Sequence, residues 1–254
     1  MDAVLLFSGQ GAQKVGMGKD LYDQYPVAKA LIEQADKALG ESLSAVMFEG
    51  PGEELTRTCN CQPALYVHGL ACLAVLKELV PSLNPVAAAG LSLGEFTAHA
   101  AAGTYSFEEG LRLVQKRGAF MEEACNATKG TMAAMIGGTD ENVIKLAQEC
   151  DVDVANFNCP GQTVVSGTEE GVAKAVAGAK AAGCKIAKKL NVAGAYHSRL
   201  MHSAMVKLAE ELKNISFGTP SMPVYCNYEA RVVEGPDDIR SMLEHQVCGS
   251  VRWT

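Results

Sequence analysis

The stretch that decides the fold is Val86-Ala-Ala-Ala-Gly-Leu-Ser-Leu-Gly-Glu-Phe96. Its first residues, small and apolar, are typical of a buried strand, and a helix-like run from 95 to 102 follows. Between them, Gly-Leu-Ser-Leu-Gly fits the G-x-S-x-G pattern of a nucleophile elbow, a sharp turn from strand to helix. The pattern predicts that Ser92 is an exposed nucleophile. The N–H of Leu93, at the helix start, would face the group that Ser92 attacks.

The composition favours a chain with a large core and without an anionic main partner. It has 254 residues, of which 48% are hydrophobic, and a formal net charge of −7. This charge argues against binding to nucleic acid or to an anionic membrane. The nine cysteines are scattered and include no second pair at zinc-site spacing, so we expect reduced thiols and no metal.

No stretch is typical of a secretory signal or of a membrane-spanning helix. We therefore expect a cytoplasmic protein, or a plastid or mitochondrial one from which a transit peptide has been removed. No strand is predicted to form a long, uncovered apolar edge, which favours a monomer.

A second glycine-containing loop, Ser8-Gly-Gln-Gly-Ala-Gln13, follows the first predicted strand, residues 3–7. Backbone amides in such a loop can point into open space, so Gln10 is a second candidate source of oxyanion-hole donors. A purely structural turn explains the loop equally well. A dinucleotide-binding loop is disfavoured, because Lys14 stands where G-x-G-x-x-G requires its third glycine.

Arg117 lies on a predicted helix that begins with the capping-box-like Ser106-Phe-Glu-Glu109. It shares an apolar stripe with Val114 and Phe120, and a buried arginine is costly unless it meets an anion. Its planar guanidinium would hold a carboxylate with two hydrogen bonds. A structural salt bridge to a nearby glutamate is the alternative explanation.

The remaining pattern predicts an α/β protein with an insertion. Residues 130–190 alternate as strand, helix, strand, strand, helix and strand, which is the ferredoxin-like βαββαβ order. We predict a hydrolase-like, mostly parallel sheet flanked by helices, formed by residues 1–128 and 192–254. The ferredoxin-like subdomain would comprise residues 129–191. Outside it we expect one helix over 18–39, a strand over 223–227 and a helix over 237–246.

Four separated motifs carry a resemblance to a known family. They are Gly9-Gln-Gly-Ala-Gln13, Gly90-Leu-Ser-Leu-Gly-Glu95, Arg117 and the loop with Tyr196-His197. Together they resemble the malonyl-CoA:acyl carrier protein transacylases of type II fatty acid synthesis and, more distantly, polyketide-synthase acyltransferase domains. The resemblance implies transfer of a malonyl group from malonyl-CoA to the phosphopantetheine thiol of holo-acyl carrier protein, through a seryl ester. It implies no bound cofactor, with the coenzyme A thioester as substrate.

The same resemblance implies a role for each candidate residue. Ser92 would be the nucleophile, His197 the general base, and Arg117 the group that binds the malonyl carboxylate. The backbone N–H groups of Gln10 and Leu93 would form the oxyanion hole, and the backbone carbonyl of Gln246 would orient the imidazole. Independently of the resemblance, the bulk of Tyr196 beside His197 leaves little room for an α-methyl group, so we expect methylmalonyl to be disfavoured.

Two departures from the family leave alternatives open. Leu91 stands where the family usually has histidine, which should change elbow packing or substrate contact but not the nucleophile. The family continues past the position of Thr254 with a further helix and strand, so a non-catalytic remnant is one alternative. The other is a serine hydrolase or thioesterase with a Ser92, Asp153, His197 triad, although Asp153 begins a strand of the predicted insertion.

Overall fold

The computed structural model describes all 254 residues and separates into two compact units. Unit 1 comprises Met1–Ala119, Glu211–Cys226 and Val232–Ile239, and unit 2 comprises Phe120–Glu210, Asn227–Arg231 and Arg240–Thr254. Both units combine helices with a β-sheet. The predicted mixed α/β class is therefore confirmed.

The sheet of unit 1 is parallel and short. Strand β1 (Asp2–Phe7) pairs with β2 (Asn84–Gly90), so that Phe7 lies opposite Gly90 at the carboxyl end of both strands. The predicted strand over 223–227 is wrong: Val224 and Tyr225 each make only a single bridge. Pro223, with no N–H to donate, and the turn that begins at Asn227 limit the pairing.

The seven helices between residues 19 and 127 are α1 (Lys19–Gln24), α2 (Pro26–Leu39), α3 (Leu43–Glu49), α4 (Gly52–Thr56), α5 (Thr58–Leu79), α6 (Leu93–Ala101) and α7 (Phe107–Ala127). The single helix predicted over 18–39 is thus two helices. Tyr25 is extended between them, at φ −124° and ψ 113°. Pro26 is the physical reason, because a proline disfavours the helical conformation of the residue before it.

The start of α7 follows its sequence signal. The predicted capping box of α7 is confirmed: the backbone N–H of Ser106 donates to the Glu109 carboxylate at 3.0 Å, and the Glu109 N–H donates to Ser106 Oγ at 3.2 Å. Helix α5 is long and apolar enough to cross a membrane by length and composition alone, yet 61% of its most apolar window is buried inside the protein. Core helices of globular proteins pass the same test.

Unit 2 contains a five-stranded sheet with two helices packed on it. Its elements are β3 (Gly130–Ile136), α8 (Asp140–Glu149), β4 (Asp153–Cys159), β5 (Gln162–Thr168), α9 (Glu169–Gly178), β6 (Ile186–Lys189) and β7 (Val251–Arg252). The strand order is β6-β3-β5-β4-β7, and all neighbours are antiparallel except β4 and β7. Buried side chains such as Met135, Val165 and Val172 form its core.

The chain after β6 is mostly loop and helix. A 3₁₀ turn (Arg199–Met201) leads into α10 (His202–Lys213), and α11 is Pro236–His245. The strands and helices predicted over 130–190 all occur, with shifted ends. Helix α9 ends at Gly178. It is followed by a turn in which the Cys184 N–H donates to Ala179 O at 2.9 Å.

Candidate functional site

The predicted elbow is present in unit 1, and Ser92 occupies its sharpest point. Ser92 joins β2 to α6 with φ 53° and ψ −104°, a conformation that non-glycine residues rarely adopt. A Cβ atom at Gly90 would lie 2.0 Å from the carbonyl of Gly94, so only glycine fits there. Strained backbone of this kind is typical of a serine whose hydroxyl is presented at a strand-to-helix turn.

The N-terminus of α6 lies at the nucleophile. Leu93, which directly follows Ser92, is the first helical residue, and the first N–H groups of a helix have no acceptor within it. The helix dipole adds partial positive charge at this end. Leu91, directly before the nucleophile, is held by its backbone. Its N–H donates to Phe7 O at 3.0 Å, and its carbonyl accepts from Gly94 N–H at 2.9 Å; its side chain takes no part in these two bonds.

The loop that carries Gln10 packs against this turn. A Cβ atom at Gly9 would lie 2.4 Å from the carbonyl oxygen of Leu91, so the two backbones approach as closely as glycine allows. Gln10 follows directly, and the next N–H, of Gly11, donates to Gln13 Oε1 at 2.7 Å. The loop backbone therefore lies beside the residue that precedes the nucleophile.

Arg117 is buried next to the nucleophile in the same unit. Its residue is 1% exposed, and its Nη2 donates to Ser92 Oγ at 3.0 Å. Its Nη1 donates to Gln62 Oε1 at 2.7 Å, and its Cζ lies 5.0 Å from the centroid of the Phe96 ring. A permanent positive charge thus lies within hydrogen-bond reach of the nucleophilic oxygen, away from bulk water.

Gln62 is the site residue that our sequence reasoning missed. It lies in α5 directly before Pro63, is 1% exposed, and accepts one of the Arg117 hydrogen bonds. The available signal was a polar side chain in an otherwise apolar helix. Such a side chain needs a hydrogen-bond partner when it is buried.

His197 belongs to unit 2 and is 5% exposed. Its Nδ1 lies 2.9 Å from the backbone carbonyl oxygen of Gln246. A carbonyl oxygen can only accept, so Nδ1 carries the hydrogen and donates. The acceptor nitrogen of the neutral imidazole is then Nε2. The backbone of His197 is left-handed, with φ 54°, which is uncommon for a non-glycine residue.

Tyr196, the predicted specificity residue, is also buried in unit 2, with 6% exposure. Its side chain forms a hydrogen bond with the thiol of Cys125, whose pKa is raised above its usual value mainly by burial. Cys125 also touches the loop: a Cβ atom at Gly194 would lie 2.2 Å from its sulfur. Cys125 thus contacts both the Tyr196 side chain and the backbone of the loop that carries it.

Asp153, the acid of the alternative triad, has another partner. Its carboxylate accepts hydrogen bonds from the guanidinium and the backbone N–H of Arg199, whereas His197 Nδ1 meets the Gln246 carbonyl. This geometry disfavours a hydrolase-type triad. No group of three or more His, Cys, Asp or Glu side chains is placed to hold a metal ion.

The geometry divides the predicted site residues into two sets. Ser92, Leu93, Gln10 and Arg117 belong to unit 1, and the hydrogen bond from Arg117 to Ser92 joins two of them. Tyr196, His197 and Gln246 belong to unit 2, and the hydrogen bond from His197 to the Gln246 carbonyl joins two of these.

Comparison with known proteins gives one consistent result. The sequence profile described as "Acyl transferase domain" matches residues 4–248. The malonyl CoA-acyl carrier protein transacylase of Bacillus subtilis (strain 168) is 44% identical over 253 residues, which cover 98% of this chain and 79% of that protein. The corresponding transacylase of Escherichia coli (strain K12) is 40% identical and covers 98% and 82%.

Solved structures agree. The malonyl CoA-acyl carrier protein transacylase of Coxiella burnetii has a TM-score of 0.94 at 36% identity, covering 98% of this chain and 80% of that one. A malonyl-transacylase in complex with its type II polyketide acyl-carrier protein also has a TM-score of 0.94, at 38% identity, covering 98% and 82%.

Proposed function

The chain belongs to the family of malonyl CoA-acyl carrier protein transacylases, and we propose that Ser92, His197 and Arg117 carry out its malonyl transfer. The substrates are malonyl-CoA and the phosphopantetheine thiol of holo-acyl carrier protein, and the product serves fatty acid biosynthesis. The observation that carries this proposal is the 3.0 Å hydrogen bond between Arg117 Nη2 and Ser92 Oγ. It puts a carboxylate-binding group beside a nucleophile.

In the first half-reaction, His197 takes the proton from the Ser92 hydroxyl as the oxygen attacks the malonyl thioester carbonyl. The tetrahedral intermediate carries its negative charge on the former carbonyl oxygen, where the N–H groups of Gln10 and Leu93 bind it. Collapse breaks the carbon–sulfur bond, and the imidazolium returns the proton to the leaving thiolate of coenzyme A. The malonyl group remains as an ester on Ser92.

The second half-reaction reverses these steps with a different thiol. His197 takes the proton of the phosphopantetheine thiol, the thiolate attacks the seryl ester, and Ser92 leaves with the proton. A thioester is exchanged for a thioester, so the reaction is nearly balanced in free energy. The main requirements are therefore stabilisation of two similar oxyanions and exclusion of water.

The proposed base is supported by its hydrogen bonding. The Gln246 carbonyl fixes the hydrogen of the imidazole on Nδ1 and so leaves Nε2 to accept a proton. A backbone carbonyl orients the ring without supplying a full negative charge. In a serine hydrolase, by contrast, a carboxylate stabilises the imidazolium.

Substrate choice follows from two buried side chains. Arg117 binds the free carboxylate of malonyl, which acetyl lacks, and the Phe96 ring keeps water from one face of the guanidinium. Tyr196, adjacent to the base and bonded to Cys125, disfavours the α-methyl group of methylmalonyl.

We propose the finer architecture on similar grounds. Residues 1–128 and 192–254 form a hydrolase-like subdomain, supported by the parallel pair β1–β2 and the strand-to-helix turn at Ser92. Residues 129–191 form a ferredoxin-like subdomain. The support is the antiparallel strand order β6-β3-β5-β4, with α8 connecting β3 to β4 and α9 connecting β5 to β6. We also propose a cytoplasmic monomer, with a plastid or mitochondrial location as the alternative. The support is that no stretch is typical of a secretory signal and no strand is predicted to form a long, uncovered apolar edge.

Intact-mass measurement after brief exposure to malonyl-CoA tests the function. We expect one malonyl adduct on the protein, its loss on adding holo-acyl carrier protein, and no adduct on Ser92→Ala. His197→Ala should slow acylation by about 10²- to 10⁴-fold, which is the usual contribution of general acid–base catalysis. A folded protein that takes up no malonyl group would refute the proposal.

A parallel assay separates transfer from hydrolysis. Free malonate and malonyl-carrier protein are measured in the same reaction over time. Transfer should exceed malonate release, because the site has no carboxylate on His197 Nδ1 of the kind expected in a hydrolase triad. Rapid malonate release without transfer would assign the chain to the hydrolases instead.

A further inference from the structure

We propose that Arg199 is a positioning residue for His197. Two segments restrain the imidazole, the loop after His197 and the segment after Gln246, and both are attached to strand β4. This inference rests on the proposed role of His197 as the base. It concerns residues of unit 2 only, and it assigns a function to an ion-pair cluster that the reaction itself does not use.

Arg199 is bound more completely than an ordinary surface arginine. Four contacts join it to the Asp153 carboxylate: the backbone N–H at 2.8 Å, Nε at 3.1 Å to each oxygen, and Nη2 at 2.9 Å. A fifth joins Nη1 to Asp151 Oδ1 at 2.7 Å. Hydrogen bonding to Asp153 raises the pKa of the guanidinium further, so it stays charged.

The backbone N–H contact is what links this cluster to the catalytic loop. Because it belongs to the main chain two residues after His197, it fixes the path of the loop as well as the side chain of Arg199. His197 itself has φ 54°, a conformation that persists only where the surroundings hold it. Ser198 adds a local bond from its Oγ to Ala195 O at 2.6 Å.

The anchor of this cluster is a sheet strand. Asp153 is the first residue of β4 and pairs with Ser166 of β5. A carboxylate on a paired strand is a more rigid reference than one on a loop. Arg199 therefore ties the loop after His197 to the sheet.

The other restraint on the imidazole leads to the same strand. Gln246, whose carbonyl binds His197 Nδ1, is followed by a segment that runs along β4. There Ser250 Oγ donates to Val154 O at 2.6 Å, and Val251 pairs with Asn156. The ring is thus held from its own loop and from its Nδ1 partner, and both supports are attached to β4.

A surface ion pair alone would not carry this inference. The Arg199 side chain is 57% exposed and that of Asp151 is 88% exposed, and such pairs contribute little to stability. Asp153 differs, because its side chain is 27% exposed and accepts the contacts that reach the main chain. We therefore expect its loss to affect turnover more than folding stability.

The matched pair of variants is Asp153→Asn and Asp151→Asn, the same chemical change on two partners of one arginine. Asp153→Asn should lower kcat for malonyl transfer by about 10- to 100-fold, as expected for a misplaced catalytic group, with KM within about twofold. Asp151→Asn should stay within about threefold of the parent. Thermal unfolding midpoints of the two variants should be similar.

A double-mutant cycle with His197→Ala separates positioning from general damage. If Asp153 acts through His197, Asp153→Asn should cause no further loss of acylation rate in the His197→Ala background. An equal loss in both backgrounds, or wild-type kcat in Asp153→Asn, would overturn the inference. Should Asp153→Asn fold poorly, Arg199→Lys removes the side-chain fork but keeps the backbone N–H bond to Asp153, so it should give a smaller kcat loss with the same non-additivity.

The same measurements keep the proposed function separate. If His197→Ala alone acylates as fast as the parent, the base assignment fails, whatever Asp153 does. If His197→Ala loses activity while Asp153→Asn and Arg199→Lys do not, the base assignment stands and only the role of Arg199 is refuted.

Discussion

The Nη2 atom of Arg117 lies 3.0 Å from Oγ of Ser92, so a buried cation and the elbow hydroxyl share one hydrogen bond. Under the proposed role of Arg117, this distance determines which acyl groups are favoured. An acyl group bonded to the serine oxygen must pass the guanidinium, and a carboxylate at its far end can replace the bond that the free hydroxyl makes. A neutral acyl group of the same size gains nothing from Arg117.

Replacing Arg117 with alanine should therefore affect the rate of malonyl transfer much more than the rate of acetyl transfer. We expect malonyl transfer to fall by at least about 10²-fold, because a charge-assisted pair with the substrate carboxylate is lost, and acetyl transfer to change far less. Steady-state kinetics with both coenzyme A thioesters measures the ratio. Arg117→Lys, which keeps the charge without the fork, should fall between. Equal losses for both substrates would remove the carboxylate-binding role.

Gln62 gives a second test of the same cation. In Gln62→Glu, a carboxylate of the same shape would replace the oxygen that Arg117 Nη1 reaches at 2.7 Å. This internal anion competes with the malonyl carboxylate, so the KM for malonyl-CoA should rise by about 10-fold or more. Gln62→Met, which removes the acceptor but adds no charge, should mainly lower stability, by about 1–3 kcal/mol. A malonyl KM that is the same in both variants would contradict this account.

Tyr196 should control tolerance of an α-methyl group. Tyr196→Ala removes the ring and should raise the methylmalonyl-to-malonyl ratio of kcat/KM by about 10-fold. This is the size of discrimination that a pocket commonly achieves against one added methyl group. Tyr196→Phe loses the bond to Cys125 but keeps the ring, and is the control. Competition between the two thioesters, read by mass spectrometry of the acylated protein, gives the ratio. An unchanged ratio in Tyr196→Ala would exclude this residue as a specificity determinant.

The buried imidazole of His99 should make the folding stability of the protein depend on pH. It is fully buried in α6, its Nδ1 lies 3.2 Å from the Thr104 hydroxyl, and burial lowers its pKa to about 3. The unfolded chain would protonate this residue near pH 6.5 and the folded chain only near pH 3. The stabilisation is therefore fully present above about pH 6.5 and is lost as the pH falls towards 3.

Urea unfolding from pH 7 to pH 4 measures this effect. As the pH falls, the free energy of unfolding should decrease more steeply for the wild type than for His99→Gln. The difference between the two slopes should be at most about 1.4 kcal/mol per pH unit. The carboxylates titrate in both proteins, and so does His68, whose pKa burial also lowers, so the difference isolates His99. Parallel stability curves for the two proteins would show that His99 does not titrate differently on folding.

The sequence allowed the elbow to be predicted because its constraints are local. The steric constraints on Gly90 and Ser92 act within five consecutive residues, so the sequence pattern of those residues indicates them directly. The capping box at Ser106 and Glu109 is local in the same way. The break at Tyr25 was also predictable, because Pro26 disfavours the helical conformation of the residue before it.

Contacts between distant parts of the chain could not be derived in this way. His197 and the Gln246 carbonyl are separated by 49 positions, and any backbone carbonyl could have been the partner. Their pairing was expected only from the family resemblance. Gln62 was missed because its partner, Arg117, is equally distant, and the apolar composition of α5 made burial, rather than hydrogen bonding, its obvious property.

The aromatic ring of Phe96 beside the Arg117 guanidinium has a chemical consequence for the cargo. Malonyl esters can lose carbon dioxide, a step that discharges their carboxylate and leaves a carbanion behind. If Arg117 binds the malonyl carboxylate as proposed, the guanidinium stabilises that carboxylate relative to neutral carbon dioxide and makes its loss less favourable. The pocket proposed to recognise the three-carbon unit would then also protect it against decarboxylation.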